Sequence, residues 1–487
     1  MKRFLLVVIF LWSGVCFSQE DYTDVAALSD GPASHHVLPL LEAVNSAEVA
    51  KLEAFIAASF TPEFLQQFPM AMHLEFLQEA HAFNGKLSFG FERKYHNPGT
   101  PNELVVLVQS EKTDLWSALA IYYSPEKPHK ISGLDMWDVS LPEESTPITT
   151  TEAVNKLGIY VKRMAKRGVF SGSVLVGKGD KVLYSHAEGV ASKRFNVPNN
   201  VQTKFNLGSM NKMFTAIAIM QLVEAGKLSL SDKLSQYADE SWLPKAMSHK
   251  IEIRHLLTHS SGLGSYFNQT YMETSKNRFR ALQDYKPLIV GEKLQFEPGS
   301  DNAYSNTGMF MLGVVIESVT GQDYFSYIRD HIYKPAGMVS SGSFEMDQPV
   351  PNLAIGYTAS AQNDSGWVNN LYTHVLKGGP AGGGFSTVED LHRFAQALVN
   401  FKLLGKKFTE ELYLPRPSLH SPEYGYGFSV DGTPDNRIVG HNGGFLGISS
   451  NLDIYLDQGY ASVVLSNYSN GSWAVQRKVR QLLARIK

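Results

Sequence analysis

The sequence predicts an α+β protein built as two domains. Its hydrophobic period is helical from about residue 35 to 83 and changes to strand-like runs from residue 86. Further along, strand runs stand near 171–185 and 448–466 with long helical patterns between them, the order expected of one antiparallel sheet closed by two chain ends and joined to a helical subdomain. A length of 487 residues also exceeds what one ordinary core fills.

At the N-terminus Lys2 and Arg3 precede the apolar run Phe4 to Trp12, and Cys16 and Ser18 stand at the small-residue positions before Gln19. Residues 1–18 therefore read as a secretion signal, which predicts a periplasmic or extracellular protein. The run falls short of the roughly 20 residues that span a bilayer, and no other segment is long and apolar enough for a membrane span. Cys16 is the only cysteine, so the mature chain is expected to have neither disulfides nor thiol chemistry. Lipidation of Cys16 is the alternative, and Ser13-Gly14-Val15 lacks the leucine usual three residues before such a cysteine. A formal net charge of -3 gives no case for nucleic acid as a partner.

Residues 19–142 are expected to form a small α+β domain. Leu38, Leu41, Val44, Leu52, Phe55 and Ile56 mark one helix over Val37 to Ala58. Thr61-Pro62 opens a second, with proline at its favoured first position and Phe64, Leu65, Phe68, Met72, Phe76 and Leu77 as its apolar face. Leu104 to Val108 and Leu115 to Tyr123 read as strands. This order resembles the nuclear-transport-factor-2-like domains, which implies either a ligand pocket or a packing and self-association module. The stretch 143–150, rich in proline and charge, reads as a linker.

The second domain, 151–487, opens with a helix near Thr151 to Lys166 and a hairpin whose strands, Ser171 to Val176 and Lys181 to Ser185, flank Gly177-Lys178-Gly179-Asp180. Helices are expected at 209–225, 307–319, 322–333 and 386–399, the last with Ser386 and Glu389 as a capping box. Strands over Ile448 to Leu456 and Tyr460 to Ser466 and a helix over 472–486 complete the chain.

The chemistry centres on Gly208-Ser209-Met210-Asn211-Lys212, which opens a proline-free apolar helix ending at Gly226. Ser209 and Lys212 are three apart and share a face. The positive helix end disfavours a protonated lysine and favours a serine that loses its proton, so the pair reads as a nucleophile and its base. The spacing alone is common and recurs at Ser124-Pro125-Glu126-Lys127. Two distant stretches change the weight. Tyr304-Ser305-Asn306 lies between the Pro298-Gly299 turn and a helix start, whereas the Tyr-x-Asn triplets at Tyr95, Tyr266 and Tyr468 have no such setting. Gly440-His441-Asn442-Gly443-Gly444 reads as a turn before a strand, where glycine lets a backbone N–H approach a reacting carbonyl.

Together these residues resemble the penicillin-recognising serine hydrolases of the class C β-lactamase-related family, which includes DD-peptidases, D-aminopeptidases and esterases. Phe205 to Gly208, Ile253 to Leu263 and Gly382 to Ser386 are also family-like. The resemblance covers roughly residues 150–487 and implies the β-lactamase/transpeptidase-like fold, a secreted serine hydrolase that cleaves an amide or ester, and no metal or organic cofactor. It implies Ser209 as the acylated nucleophile, with Lys212 and Tyr304 as the proton-transfer pair. The N–H groups of Ser209 and Gly444 would form the oxyanion hole, and Asn306, His441, Asn442 and Gly443 would meet the substrate, a small molecule or peptide, unless Asn306 instead orients Lys212. Which of Lys212 and Tyr304 is the base stays open.

One departure narrows the substrate. The family's third motif usually begins with a lysine that meets a substrate carboxylate, and here His441 stands in its place. Imidazole is mostly uncharged at neutral pH, which favours other amides or esters over β-lactams. β-Lactamase or DD-peptidase activity is the alternative within enzymes, and a non-catalytic penicillin-binding or sensor protein the alternative outside them. His255 and His259 have a metal-like spacing but no glutamate follows His255, so no metal site is expected. The run from Lys377 to Gly384 lacks a phosphate-loop ending and reads as a mobile cleft rim, and Tyr424 to Phe428 either lines the cleft or is a strand entry with packed aromatics, the second being preferred.

Overall fold

A computed structural model describes residues 22–96, 100–141, 146–360, 365–433 and 435–486. The expected secretion signal lies outside the described residues, as does most of the expected linker's first half. The chain forms two compact units. One holds the chain up to Thr149 together with the residues from Gln481 onward, and the other is Thr150–Arg480.

In the N-terminal unit the strands Leu87–Tyr95, Glu103–Ser110, Trp116–Tyr123 and Ile131–Val139 form an antiparallel meander. Tyr22–Val25, which carries no strand pattern long enough to read, adds a fifth strand beside Leu87–Tyr95. Val106, Val108, Leu119 and Ile121 face the helices and pack with Leu40, Leu52 and Ile56. Their alternates Val105, Leu107, Ala118 and Ala120 face the other way among Phe91, Trp116 and Trp137. Both faces are thus apolar, which is why Leu104 to Val108 is an unbroken hydrophobic run rather than an alternation.

The helical part is more broken than its periodicity suggests. The expected helix over 37–58 is two, Val37–Ser46 and Val49–Ser59, because Ala47 takes the left-handed conformation at φ 56° without a glycine to announce it. The second begins as expected: Thr61 accepts the Phe64 N–H at 3.2 Å with Pro62 in the first position. It stops at Gln67, ahead of Pro69, and Met70–Asn84 continues as a separate helix.

The larger unit is built on a six-stranded antiparallel sheet. Its order is Ser429–Thr433, Asn436–Phe445, Ile448–Tyr455, Tyr460–Ser466, Gly172–Lys178 and Lys181–Glu188. The first and last strands of the sequence pattern do lie side by side, Val464 opposite Val174. The stretch Gly440 to Gly444, expected as a turn, is the second half of a strand paired with Ile448–Tyr455. Its glycines hide it from propensity, and the neighbouring strand at 429–433 is masked in the same way by Gly432.

Helices Asn211–Glu224 and Asn306–Thr320 run through the core of this unit and are buried almost all round. Gly226, at φ 66°, closes the first, its N–H bonded to the Val223 carbonyl. The expected helix at 322–333 is Tyr324–Ile328, which continues through a wider turn, Arg329–Tyr333, into Lys334–Ala336. Val388–Val399 is capped by Thr387, which accepts from Asp390 N–H, not by Ser386. Ser386 is occupied in a short strand, Phe385–Ser386, paired with Phe205–Asn206.

Candidate active site

The turn that carries Ser209 is one tight helical turn, Gly208–Met210, set immediately before the helix Asn211–Glu224. Three segments hold it. Leu207 N–H donates to Gly384 O at 2.7 Å, Gly383 N–H donates to Gly208 O at 3.1 Å, and Ser450 Oγ donates to Leu207 O at 2.7 Å. Gly208 takes φ 51° and lies against the backbone of Gly443 and Gly444. A Cβ on Gly443 would stand 2.0 Å from Leu207 O, so the strand can approach this closely only through glycine.

Lys212 is fully buried. Its Nζ is 2.9 Å from Ser209 Oγ, 2.9 Å from Asn306 Oδ1 and 2.6 Å from Ala381 O. Burial holds its pKa well below the ordinary lysine value. A neutral amine suits these three contacts: two N–H groups for Ala381 O and Asn306 Oδ1, and a lone pair for the Ser209 O–H. Tyr304 lies beside this pair, its ring centroid 4.7 Å from Lys212 Nζ. Burial pushes its phenol up, with the neighbouring Ser209 pulling the other way, so it is protonated.

Asn306 is the first residue of its helix, beneath the cap Ser305, and its Nδ2 donates to Ser265 Oγ at 3.3 Å. Ser209, Lys212, Tyr304 and Asn306, which come from two stretches far apart in the chain, thus meet at one point. Gly444 and Asn442 are exposed on the strand facing that point, while Gly443 is buried against Leu207. The strand's pairing with Ser429–Thr433 ends at Gly440, so residues 441–445 lie beyond that ladder.

His441 is buried and fully engaged. Nδ1 donates to Asn442 O, which leaves Nε2 to accept from Tyr424 O–H at 2.9 Å. Burial first, then the neighbouring Lys212, brings its pKa down to about 3, so it is a neutral imidazole. The second Ser-x-x-Lys triplet is only a turn: Ser124 Oγ accepts the Glu126 N–H at 3.2 Å at the surface. Tyr266 is a core residue, and the Tyr468 hydroxyl takes the Lys193 amine.

A family model described as Beta-lactamase matches residues 158–485. The chain belongs to the β-lactamase family. Penicillin-binding protein 4* of Bacillus subtilis (strain 168) is 31% identical over 319 residues, 62% of this chain and 69% of that protein. The crystal structure of a penicillin binding protein from Bacillus halodurans aligns with a TM-score of 0.59 at 30% identity, covering 68% of this chain and 98% of that one. A D-amino acid amidase from Ochrobactrum anthropi SV3 shares the fold, with a TM-score of 0.58 at 22% identity over 69% of this chain and 98% of that one. This protein is accordingly a serine hydrolase of the class C β-lactamase-related kind, with its β-lactamase/transpeptidase-like fold preceded by a small α+β region.

Within this β-lactamase-family unit three features escaped the sequence reading. The run Lys377 to Gly384 is no mobile rim. Pro380 and Ala381 are buried under the helix Asn211–Glu224, where Thr215 Oγ1 donates to Pro380 O at 2.8 Å and Ala381 O takes the Lys212 amine. Tyr424 is bonded to His441 rather than merely packed at a strand entry. His259 lies under Tyr304, with ring centroids 4.3 Å apart, and does not converge with His255, whose Nδ1 accepts the Glu252 N–H. His259 stood out in the sequence only for its spacing from His255 and for the family-like text around 253–263.

Proposed function

We propose that the protein cleaves an amide or ester bond through an acyl intermediate on Ser209. The 2.9 Å contact of Ser209 Oγ with the buried Lys212 amine carries this reading. Ser209 Oγ attacks the substrate carbonyl as its proton passes to Lys212 Nζ, and the new oxyanion is held by the N–H groups of Ser209 and Gly444. The proton then moves to the departing amine or alcohol, assisted by the Tyr304 hydroxyl, and the carbonyl re-forms as the leaving bond breaks. Water repeats the sequence on the acyl-enzyme, with Lys212 taking its proton, and frees the acid and Ser209.

His441 supports substrates without a carboxylate at its position. A neutral ring with both nitrogens bonded has no charge to offer such a group. This favours general amides or esters, including substrates with a free amino end, over β-lactams and DD-peptides. Export is proposed on the Lys2-Arg3 and Phe4 to Trp12 pattern alone, and self-association through the N-terminal unit is proposed on its resemblance to nuclear-transport-factor-2-like domains.

Intact-protein mass spectrometry with a fluorophosphonate and with penicillin, beside turnover of an activated ester, tests the reading. The fluorophosphonate adduct is expected on Ser209, and Ser209→Ala is expected to lose both adduct and turnover. A Ser209→Ala protein that keeps full turnover sinks it. A permanent penicillin adduct with no ester turnover instead identifies a penicillin-binding or sensor protein, and rapid penicillin turnover a β-lactamase.

A further inference from the structure

Tyr304 is the one member of the site that sits outside a regular element, two residues ahead of the helix Asn306–Thr320. A single residue grips the chain on both sides of it. Ala303 N–H donates to the His259 backbone carbonyl at 3.0 Å, and Ser305 N–H donates to the His259 ring nitrogen Nδ1 at 3.1 Å. Between these two bonds the His259 ring lies against the Tyr304 ring, centroids 4.3 Å apart and planes tilted by 38°.

His259 is itself held in an unusual state. Its φ is 61°, a left-handed backbone that is unfavourable for a residue other than glycine. It is 3% exposed. Because Nδ1 accepts from Ser305, the ring proton is on Nε2, and Nε2 has no partner among the described residues. The ring is therefore fixed by the Ser305 bond and by its two aromatic neighbours. The second of these is Tyr424, with centroids 4.8 Å apart. Tyr424 donates to His441 Nε2 at 2.9 Å, and His441 stands three residues before Gly444 on the same strand.

We propose that His259 is the positioning residue of this site: its Nδ1 and backbone carbonyl clamp residues 303 and 305 so that the Tyr304 hydroxyl meets Ser209, and its ring joins Tyr304 through Tyr424 to the strand that carries Gly444. This rests on the reading of Ser209 as the nucleophile. A left-handed, unpartnered, buried histidine is a poor choice for stability alone. Its two bonds and its stack all converge on one tyrosine.

The full chain carrying His259→Asn, His259→Phe, Tyr304→Phe and the double variants tests this. Asparagine adopts the left-handed backbone readily and offers Oδ1 near the place of Nδ1, whereas phenylalanine keeps the ring and removes the acceptor. Rates of activated-ester turnover and of fluorophosphonate labelling are measured, with near-ultraviolet circular dichroism as a check on folding. His259→Phe is expected to lower kcat at least about tenfold with KM within about twofold, and His259→Asn to recover most of it. In the Tyr304→Phe background neither His259 change should lower the labelling rate further, because both act through the same hydroxyl.

Additive losses in the double variants, or an unchanged kcat in His259→Phe, overturn the proposal. If His259→Phe does not fold, His259→Gly, which accepts the left-handed backbone and removes the Nδ1 acceptor, takes its place in the same comparison. Turnover retained by Ser209→Ala overturns both this proposal and the nucleophile assignment, whereas additivity with Ser209→Ala inactive overturns this one only.

Discussion

A lysine keeps its proton when water or a carboxylate surrounds it, and Lys212 has neither. Its three contacts are a hydroxyl, an amide oxygen and a carbonyl, with no exposure to solvent. Its folded pKa is therefore depressed, while Tyr304 is raised by burial. The two shifts predict a one-sided pH profile. The kcat/KM of ester turnover should fall as pH drops and Lys212 takes up a proton, with a midpoint well below the free-lysine value of about 10.4, and should stay level up to about pH 10, where an ordinary phenol titrates. A fall in kcat/KM between pH 7 and 9 would mean instead that an essential group must stay protonated there, as when Lys212 acts as an ammonium. The same depression has a stability sign. Between the two lysine pKa values the unfolded chain binds more protons, so this group's contribution is full above about pH 10.4 and is lost as pH falls through that window. Lys212→Arg keeps a charge that cannot be removed and should lower kcat by about a hundredfold or more, measured with the same ester.

At the scale of the element, the strand Asn436–Phe445 works by having no side chains where it passes the turn Gly208–Met210. Gly443 and Gly444 are adjacent and chemically identical, yet they face different surroundings. A Cβ at 443 meets Leu207 O at 2.0 Å and Ser450 Oγ at 2.5 Å, whereas a Cβ at 444 meets nothing within 4 Å. Gly443→Ala should thus lower stability by about 1–3 kcal/mol and reduce turnover sharply, because strand and turn must separate. Gly444→Ala should leave the thermal midpoint unchanged and act on KM or kcat alone. Thermal unfolding beside ester kinetics distinguishes them, and equal destabilisation by both would contradict the close-approach account. This strand also marks where the sequence was hard to read. Ser209 with Lys212, and Tyr304 with Asn306, were legible because each pair sits at a helix start with its own punctuation. The Gly440 to Gly444 stretch looked like a turn because glycine weakens strand propensity, and only its tertiary neighbour Leu207 explains the glycines. His259 and Ala381 were illegible for the same reason: what they bond to is far away in sequence.

At the scale of the whole molecule, the two units have separate cores. The N-terminal cluster, from Ala33 to Ile131, and the large cluster, from Leu175 to Leu465, share no residue. The two-domain expectation rests on a change of hydrophobic period, and the two clusters are drawn from different stretches of the chain. The break at Ala47 and the added strand Tyr22–Val25 do not alter that division. Separate cores predict separate responses to damage. Ile121 is fully buried in the N-terminal cluster, facing the helices. Ile121→Ala removes buried methyl groups and should destabilise that unit by about 2–5 kcal/mol. Differential scanning calorimetry should then show one transition moved down and a second in place, with ester turnover at 25 °C retained, because no residue of the Ser209 site belongs to the damaged core. A single transition that moves as one, with turnover lost alongside it, would mean that the catalytic unit depends on the N-terminal core for its own folding.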